Sequence, residues 1–451
     1  MIEVLKLLTI FVFAMLFRFM CNKANLNRMQ LIFYIFNLII MLRLNVLKFS
    51  LSIFFLINTL SLFAQDERAQ LPPVLQKAYF GVSIGSINYD FGMSQFQAPA
   101  GYSFNHVTVN HAAVRLVLYG YEFNKYLAAQ LTYMRPVSWV FYYYNRADGT
   151  SVRSSVWMNV GGLTLKPQLP LNKYFSLNGE VGLGIVTRHG FEAPDGSSIV
   201  SNTTYPTVLL GGGINYHLND NWRLMLSTAY TPKETSVNQP ANTFVSLGFN
   251  YMLKPVSEKR LEKAAATGFI NPKQWFQIGY SSNLLGYGIN NALEKACLFW
   301  GGDAEVFQGL TFSYHRNIFH SAKVFALDWG VSASSWQTKG AGTGLNNPNK
   351  ETFYTFSVFP VLRFNFLHRK PLDAYFYYSV AGPTYISKTI LDGSNTGEHF
   401  TFQDNMGVGI FFGEKRNWNA EIKIGHYSNG NVFPNNAAVK VPLSLNVGYA
   451  I

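Results

Sequence analysis

The stretch Trp222-Arg223-Leu224-Met225-Leu226-Ser227-Thr228-Ala229-Tyr230 decides the fold. Trp222, Leu224, Leu226, Thr228 and Tyr230 share one face, and Arg223, Met225, Ser227 and Ala229 the other. Period two is the side-chain repeat of a β-strand. The same alternation carries Tyr354, Phe356, Val358, Leu362, Phe364 and Phe366, and then Val441, Leu443, Leu445, Val447, Tyr449 and Ile451. Such strands run about 10–14 residues, long enough to cross a bilayer when tilted. An apolar surface interrupted at every second residue is the mark of a transmembrane β-barrel.

Composition agrees. The 451 residues are 48% hydrophobic and 16% aromatic, but only 13% charged. Ordinary globular chains carry about 25% charge. Disordered and coiled-coil classes need more charge or heptads. Beyond residue 65 no run of about 18 apolar residues occurs, which excludes a helical membrane bundle. The net charge of +12 suits an anionic partner, such as lipid head-group phosphates, or reflects a scattered excess in loops and leader. Without a Lys/Arg cluster interleaved with aromatics, nucleic acid is not expected. Of the two cysteines, Cys21 falls in the leader, so no disulfide is expected and Cys297 reads as a buried bystander.

Residues 1–64 read as a leader. Arg43 and Lys48 form a basic start, Phe49 to Phe63 an apolar core, and Ala64-Gln65 a cleavage site. Met41 is a natural start for such a signal peptide, and a helical anchor at 1–20 or 31–47 is the alternative. Either way the chain is expected to be exported, with the bacterial outer membrane as destination.

After residue 75 the alternation predicts two sets of eight strands. The first lies near 77–88, 112–123, 126–136, 154–170, 173–187, 204–217, 221–233 and 242–253. The second lies near 273–283, 299–315, 322–337, 352–367, 373–385, 400–412, 418–428 and 438–451. Short turns such as Asn124–Lys125, Leu171–Asn172 and Asn219–Asp220 alternate with long loops such as 89–111 and 137–153. That asymmetry matches the periplasmic and extracellular ends of an outer-membrane barrel. Between the sets, 254–272 is charged and helix-prone. The expected fold is all-β: two consecutive eight-stranded antiparallel transmembrane barrels, 76–253 and 273–451, joined by a periplasmic linker. A single sixteen-stranded barrel is the alternative. The first half resembles the outer-membrane-protein A-like eight-stranded barrels in pattern and turn placement.

Most chemistry-bearing residues have structural readings. The glycine runs Gly211–Gly213 and Gly340–Gly344 do not sit between strand and helix, so no phosphate cradle is expected. No Cys or His pair has zinc spacing, and neither metal nor cofactor is expected. His315 and His320 flank an expected short turn and read as girdle residues, as does His368. His426 and Ser428 differ. Two apart on a strand, they share a face, close enough for an imidazole to polarise a hydroxyl. Trp418, Ala420, Ile422 and Ile424 set the lipid face of that strand, and His426 and Ser428 continue it at the extracellular end. Polar groups there are costly without a task.

The run His426-Tyr427-Ser428-Asn429, a short loop with Pro434-Asn435 and then a last strand resembles the outer-membrane lipid A 3-O-deacylases over about 273–451. The resemblance implies a serine esterase that removes the ester-linked 3-position acyl chain of lipid A. Its substrate would be the lipopolysaccharide of the outer leaflet. It implies Ser428 as nucleophile and His426 as general base, with Asn435, Asn429 and Gly430 supporting the site or its oxyanion hole. The family places a Glu about a dozen residues after the Ser, where this chain has Val439 and Lys440, and no acid follows Glu421. Hairpin arithmetic offers a replacement. If the turn closes at Phe412 and Trp418, counting back along both strands sets Asp404 opposite His426 on the same face. A non-catalytic barrel, serving as scaffold or small pore, and an adhesin acting through the long loops are the other readings.

Overall fold

A computed structural model describes residues 70–146, 148–267, 269–296, 300–321, 324–340, 350–369 and 371–451. The leader with Cys21, Cys297 and Ala341–Gly344 of the second glycine run lie outside the described residues.

The N-terminal barrel is built from β1 (Ala78–Tyr89), β2 (Ala112–Asn124), β3 (Leu127–Pro136), β4 (Ser151–Pro170), β5 (Phe175–His189), β6 (Thr203–His217), β7 (Trp222–Thr231) and β8 (Asn242–Met252). Each strand pairs antiparallel with its chain neighbours, and β8 returns to β1 to close the ring. One device makes three of its short turns. The side chains of Asn124, Asn172 and Asn219 each accept the backbone N–H groups two and three residues on, at 2.8–3.0 Å. This Asx bond satisfies the amides that a tight turn leaves unpaired. Lys125 and Lys173 then lie over the rings of Tyr126 and Tyr174.

The C-terminal barrel follows the helix α1 (Glu258–Ala265). Its strands are β9 (Gln274–Ser282), β10 (Ala304–His320), β11 (Phe325–Thr338), β12 (Thr352–Arg369), β13 (Leu372–Ile386), β14 (Phe400–Phe412), β15 (Trp418–Ser428) and β16 (Val439–Ala450). They form a second closed antiparallel ring, so the two-barrel expectation holds and a single sixteen-stranded sheet is excluded. Beyond the end of β9, the first residues of β10 pair in parallel with β16, Ala304 with Val439 and Glu305 with Lys440.

In both barrels the apolar face points outward. Leu163, Leu226, Leu247, Ile278, Phe356 and Val447 are all more than half exposed, as a lipid-facing wall requires. The polar face fills the interior. Arg115 pairs with Glu180 at 2.5 Å inside the first barrel. Inside the second, Arg363 pairs with Asp328 at 2.8 Å, and Tyr375 donates to Glu421 at 2.5 Å. The interiors are therefore packed by charge-assisted contacts set among buried aromatic rings such as Trp275 and Phe411.

Three expectations need correction. β10 begins at Ala304, not near 299, and runs to His320. The turn therefore follows residue 320, and His315 is no girdle residue. It is buried inside the barrel, stacked on Trp275 at 5.1 Å and hydrogen-bonded to Ser313. The two β-bulges of β10, at Val306/Gln308 and Asn317/Phe319, lie on either side of His315, and the unbroken alternation between them sets it inward with Thr311 and Ser313; the difference comes from the strand running past 315 and not from its parity. The loops 89–111 and 137–153 also contain strands, Tyr102–Thr108 and Val140–Arg146. These extend the sheet on the long β4, above an aromatic core that includes Tyr142 and Tyr144.

Candidate functional site

The site forms on the outer wall of the C-terminal barrel, at the ends of β14 and β15. These strands pair in the register expected from the sequence: Asp404 opposite His426, and Phe402 opposite Ser428. The Asp404 carboxylate lies 3.7 Å from His426 Nδ1, longer than a direct hydrogen bond. Asp404 is fixed from its other side. A β-bulge in β13 between Ser379 and Gly382 puts Ala381 in the left-handed region, with φ 45°. The bulge turns the Ala381 N–H onto Asp404 Oδ1 at 2.7 Å. A non-glycine residue in that conformation is strained by about 1–3 kcal/mol and occurs where surrounding structure over-determines it.

His426 does not face open hydrocarbon. After β9 the chain leaves the wall and runs over the outside of β16 and β15, through the short helix α2 (Asn290–Ala296). The Leu443 N–H donates to the Gly286 carbonyl. Asn290 donates to the carbonyls of Gly425 and Val441, at 3.3 and 2.7 Å, and accepts from the Trp300 indole. Trp300 stacks on His426 with ring centroids 5.2 Å apart. His426 is consequently only 2% exposed. The lipid parity of β15 is legible in the sequence; the segment covering it is not, because Trp300 falls in an apolar run that reads as the start of β10.

Ser428 lies on the same outer face, two residues beyond His426. No hydrogen bond joins the two side chains, and His426 Nδ1 has no hydrogen-bond partner among the described residues. The Ser428 hydroxyl instead meets Asn436. The Asn429 N–H donates to Asn436 Oδ1 at 2.8 Å, and Asn436 Nδ2 lies 3.0 Å from Ser428 Oγ. The Gly430 N–H also points at Ser428 Oγ, at 3.2 Å. Gly430 has φ 63°, a conformation that suits glycine.

The expected support residues thus divide. Asn429 is fully buried and donates to the backbone carbonyls of Thr396 and Asn435, which closes the loop. Asn435 contributes that carbonyl; the side chain that touches Ser428 belongs to its neighbour Asn436. Sequence reading missed Asn436 because the tandem Asn435-Asn436 gives no parity signal in a loop. Lys440 stands across the ladder from His426, where the family's acid was expected. Its ammonium is held by Glu294 at 2.9 Å and Glu305 at 3.1 Å.

The arrangement holds a hydroxyl between two N–H donors, with an imidazole and a carboxylate on the same wall. That is an inventory for acyl transfer. Residues 287–449 match the family model described as lipid A 3-O-deacylase, and residues 53–252 match an outer membrane protein β-barrel domain. No curated protein matches the chain. Among solved structures, the outer membrane enzyme PagL is 15% identical, spans 40% of this chain and 99% of its own, and has a TM-score of 0.27. The attachment invasion locus protein Ail of Yersinia pestis is 17% identical, spanning 39% and 99%, with a TM-score of 0.26. OprG of Pseudomonas aeruginosa is 13% identical, spanning 39% and 97%, with a TM-score of 0.27. The chain joins an outer-membrane β-barrel domain to a second barrel whose sequence is similar to the lipid A 3-O-deacylase family.

Proposed function

We propose that the C-terminal barrel is an outer-membrane serine esterase that removes the 3-O-linked acyl chain from lipid A. One observation carries the reading: Ser428 and His426 share the outer face of a strand, with Asp404 3.7 Å from the imidazole, in a barrel that matches the deacylase family. Ser428 Oγ attacks the ester carbonyl while His426 takes its proton. The sugar hydroxyl leaves with that proton, and water then releases the fatty acid from the acyl-enzyme. The Gly430 N–H and Asn436 Nδ2, which both reach Ser428 Oγ, are the donors that would turn to the oxyanion as it develops beside that oxygen. Asp404, with its carboxylate 3.7 Å from Nδ1, stabilises the imidazolium by its charge in place of the family's Glu.

A non-catalytic barrel is the second reading. Lys440 opposite His426 and the missing His426–Ser428 hydrogen bond favour it. Mass analysis of lipid A from cells with the wild-type chain and with Ser428→Ala separates the two. The esterase reading expects loss of one 3-hydroxyacyl mass only in the wild type; identical lipid A in both would sink it.

A further inference from the structure

Three polar side chains stand where the outer wall of the N-terminal barrel should be apolar. On β3, β4 and β5 the lipid-facing positions include Leu131, Leu163, Leu165, Val181, Leu183 and Ile185, all exposed. The same parity continues to Tyr133, Asn159 and Thr187. Asn159 and Thr187 are register partners, and Tyr133 pairs with Gly161 on β4. The three therefore form one patch across adjacent strands. Asn159 is 3% exposed and Thr187 only 1%. A polar group facing hydrocarbon without a partner is costly.

Their partners are in the other barrel. Tyr133 Oη donates to the Gly430 carbonyl at 2.8 Å, the Asn159 amide to the Asn431 carbonyl, and Thr187 Oγ1 to the Val432 carbonyl at 2.8 Å. Three consecutive carbonyls of the loop after Ser428 are thus each taken by a different strand of the first barrel. The loop is a tight turn: Gly430 and Asn431 have φ 63° and 60°, and the Val432 N–H donates to the Asn429 carbonyl at 3.1 Å. Two consecutive left-handed residues with that bond make a type I′ turn. One side of the turn holds the proposed nucleophile, through the Gly430 N–H and through Asn431 Oδ1, which accepts from Asn436 Nδ2 at 2.8 Å. The other side is held by the first barrel.

We infer that the N-terminal barrel is a docking partner, supplied in the same chain, for the loop that carries the esterase site, with Tyr133, Asn159 and Thr187 as positioning residues. This rests on the esterase reading above. Without these donors, the turn that sets the Gly430 N–H and Asn436 loses its outer anchor.

The test uses the full-length protein, with purified lipid A in mixed micelles and heat-modifiable gel migration as a check that both barrels fold. Asn159→Ala and Thr187→Val should each lower kcat roughly tenfold, about the value of one hydrogen bond, with KM unchanged. Thr187→Ser should restore the rate. Wild-type kcat in both folded variants overturns the positioning role. A second measurement does not depend on activity. Thr187→Cys with Val432→Cys, in a Cys297→Ser background, should be joined by a short bifunctional thiol reagent in whole cells. If the wild type deacylates nothing, the esterase reading fails while a positive cross-link still supports docking; no cross-link overturns docking itself.

Discussion

At the scale of single residues, the site turns on what replaces the missing acid. The Ala381 amide and the β14–β15 register aim one Asp404 oxygen away from His426 and leave the other near it. Asp404→Asn keeps the shape but removes the charge that stabilises an imidazolium. Deacylation should fall about 10²-fold or more, read as kcat on lipid A with KM little changed. Ser428→Ala and His426→Ala should each bring the rate to background, a loss of roughly 10⁴-fold or more, because nucleophile and base act as one unit. Asn436→Ala should cost about 10²–10³ in kcat, as removal of one oxyanion donor does. The place of Asp404 opposite His426 could be read from the sequence because antiparallel pairing is simple counting once a tight hairpin is fixed. Asn436, the Ala381 bulge and Trp300 could not: a loop contact, an irregularity and a returning segment each break the periodicity that makes counting possible.

At the scale of elements, the stretch Asn283–Ala296 together with Trp300 is the least expected part of the described chain. Its hold on β15 and β16 runs through Asn290, which bonds two strand carbonyls and one indole. Asn290→Ala would leave those carbonyls and the Trp300 N–H unpaired in a buried place. The expected loss is about 1–3 kcal/mol, measured as a lowered urea midpoint in micelles, together with faster thiol or protease access to the segment. Strand positions were otherwise legible nearly throughout, since one face of every strand meets hydrocarbon and the other meets charge. β14 and β15 occupy the spans expected, whereas β10 slid because two bulges and the apolar residues near Trp300 imitate a strand start.

At the scale of the whole molecule, the exposed apolar wall is the reason two barrels of this size persist in a chain with so few charges. Leu247→Arg in the first barrel and Ile278→Arg in the second place a cation on that wall. Each should destabilise its own barrel by about 2–4 kcal/mol if near the bilayer midplane, read from folding titrations into lipid vesicles. Both barrels could be read from the alternation itself. The contact between them could not, since Tyr133, Asn159 and Thr187 look like an ordinary polar strand end until the turn at Gly430–Asn431 is set against them.

The direct parallel pairing of β10 with β16 also changes the geometry of the mouth. Past the tip of β9 the circumference is drawn in from eight strands to seven, an odd count that only a parallel seam can close. Barrel diameter scales roughly with strand number, so the extracellular rim is narrower than the midsection by roughly one-eighth. The C-terminal barrel therefore tapers toward that rim. In a planar bilayer a barrel so tapered, its interior filled by side chains, should pass no ionic current of its own, which single-channel recording checks.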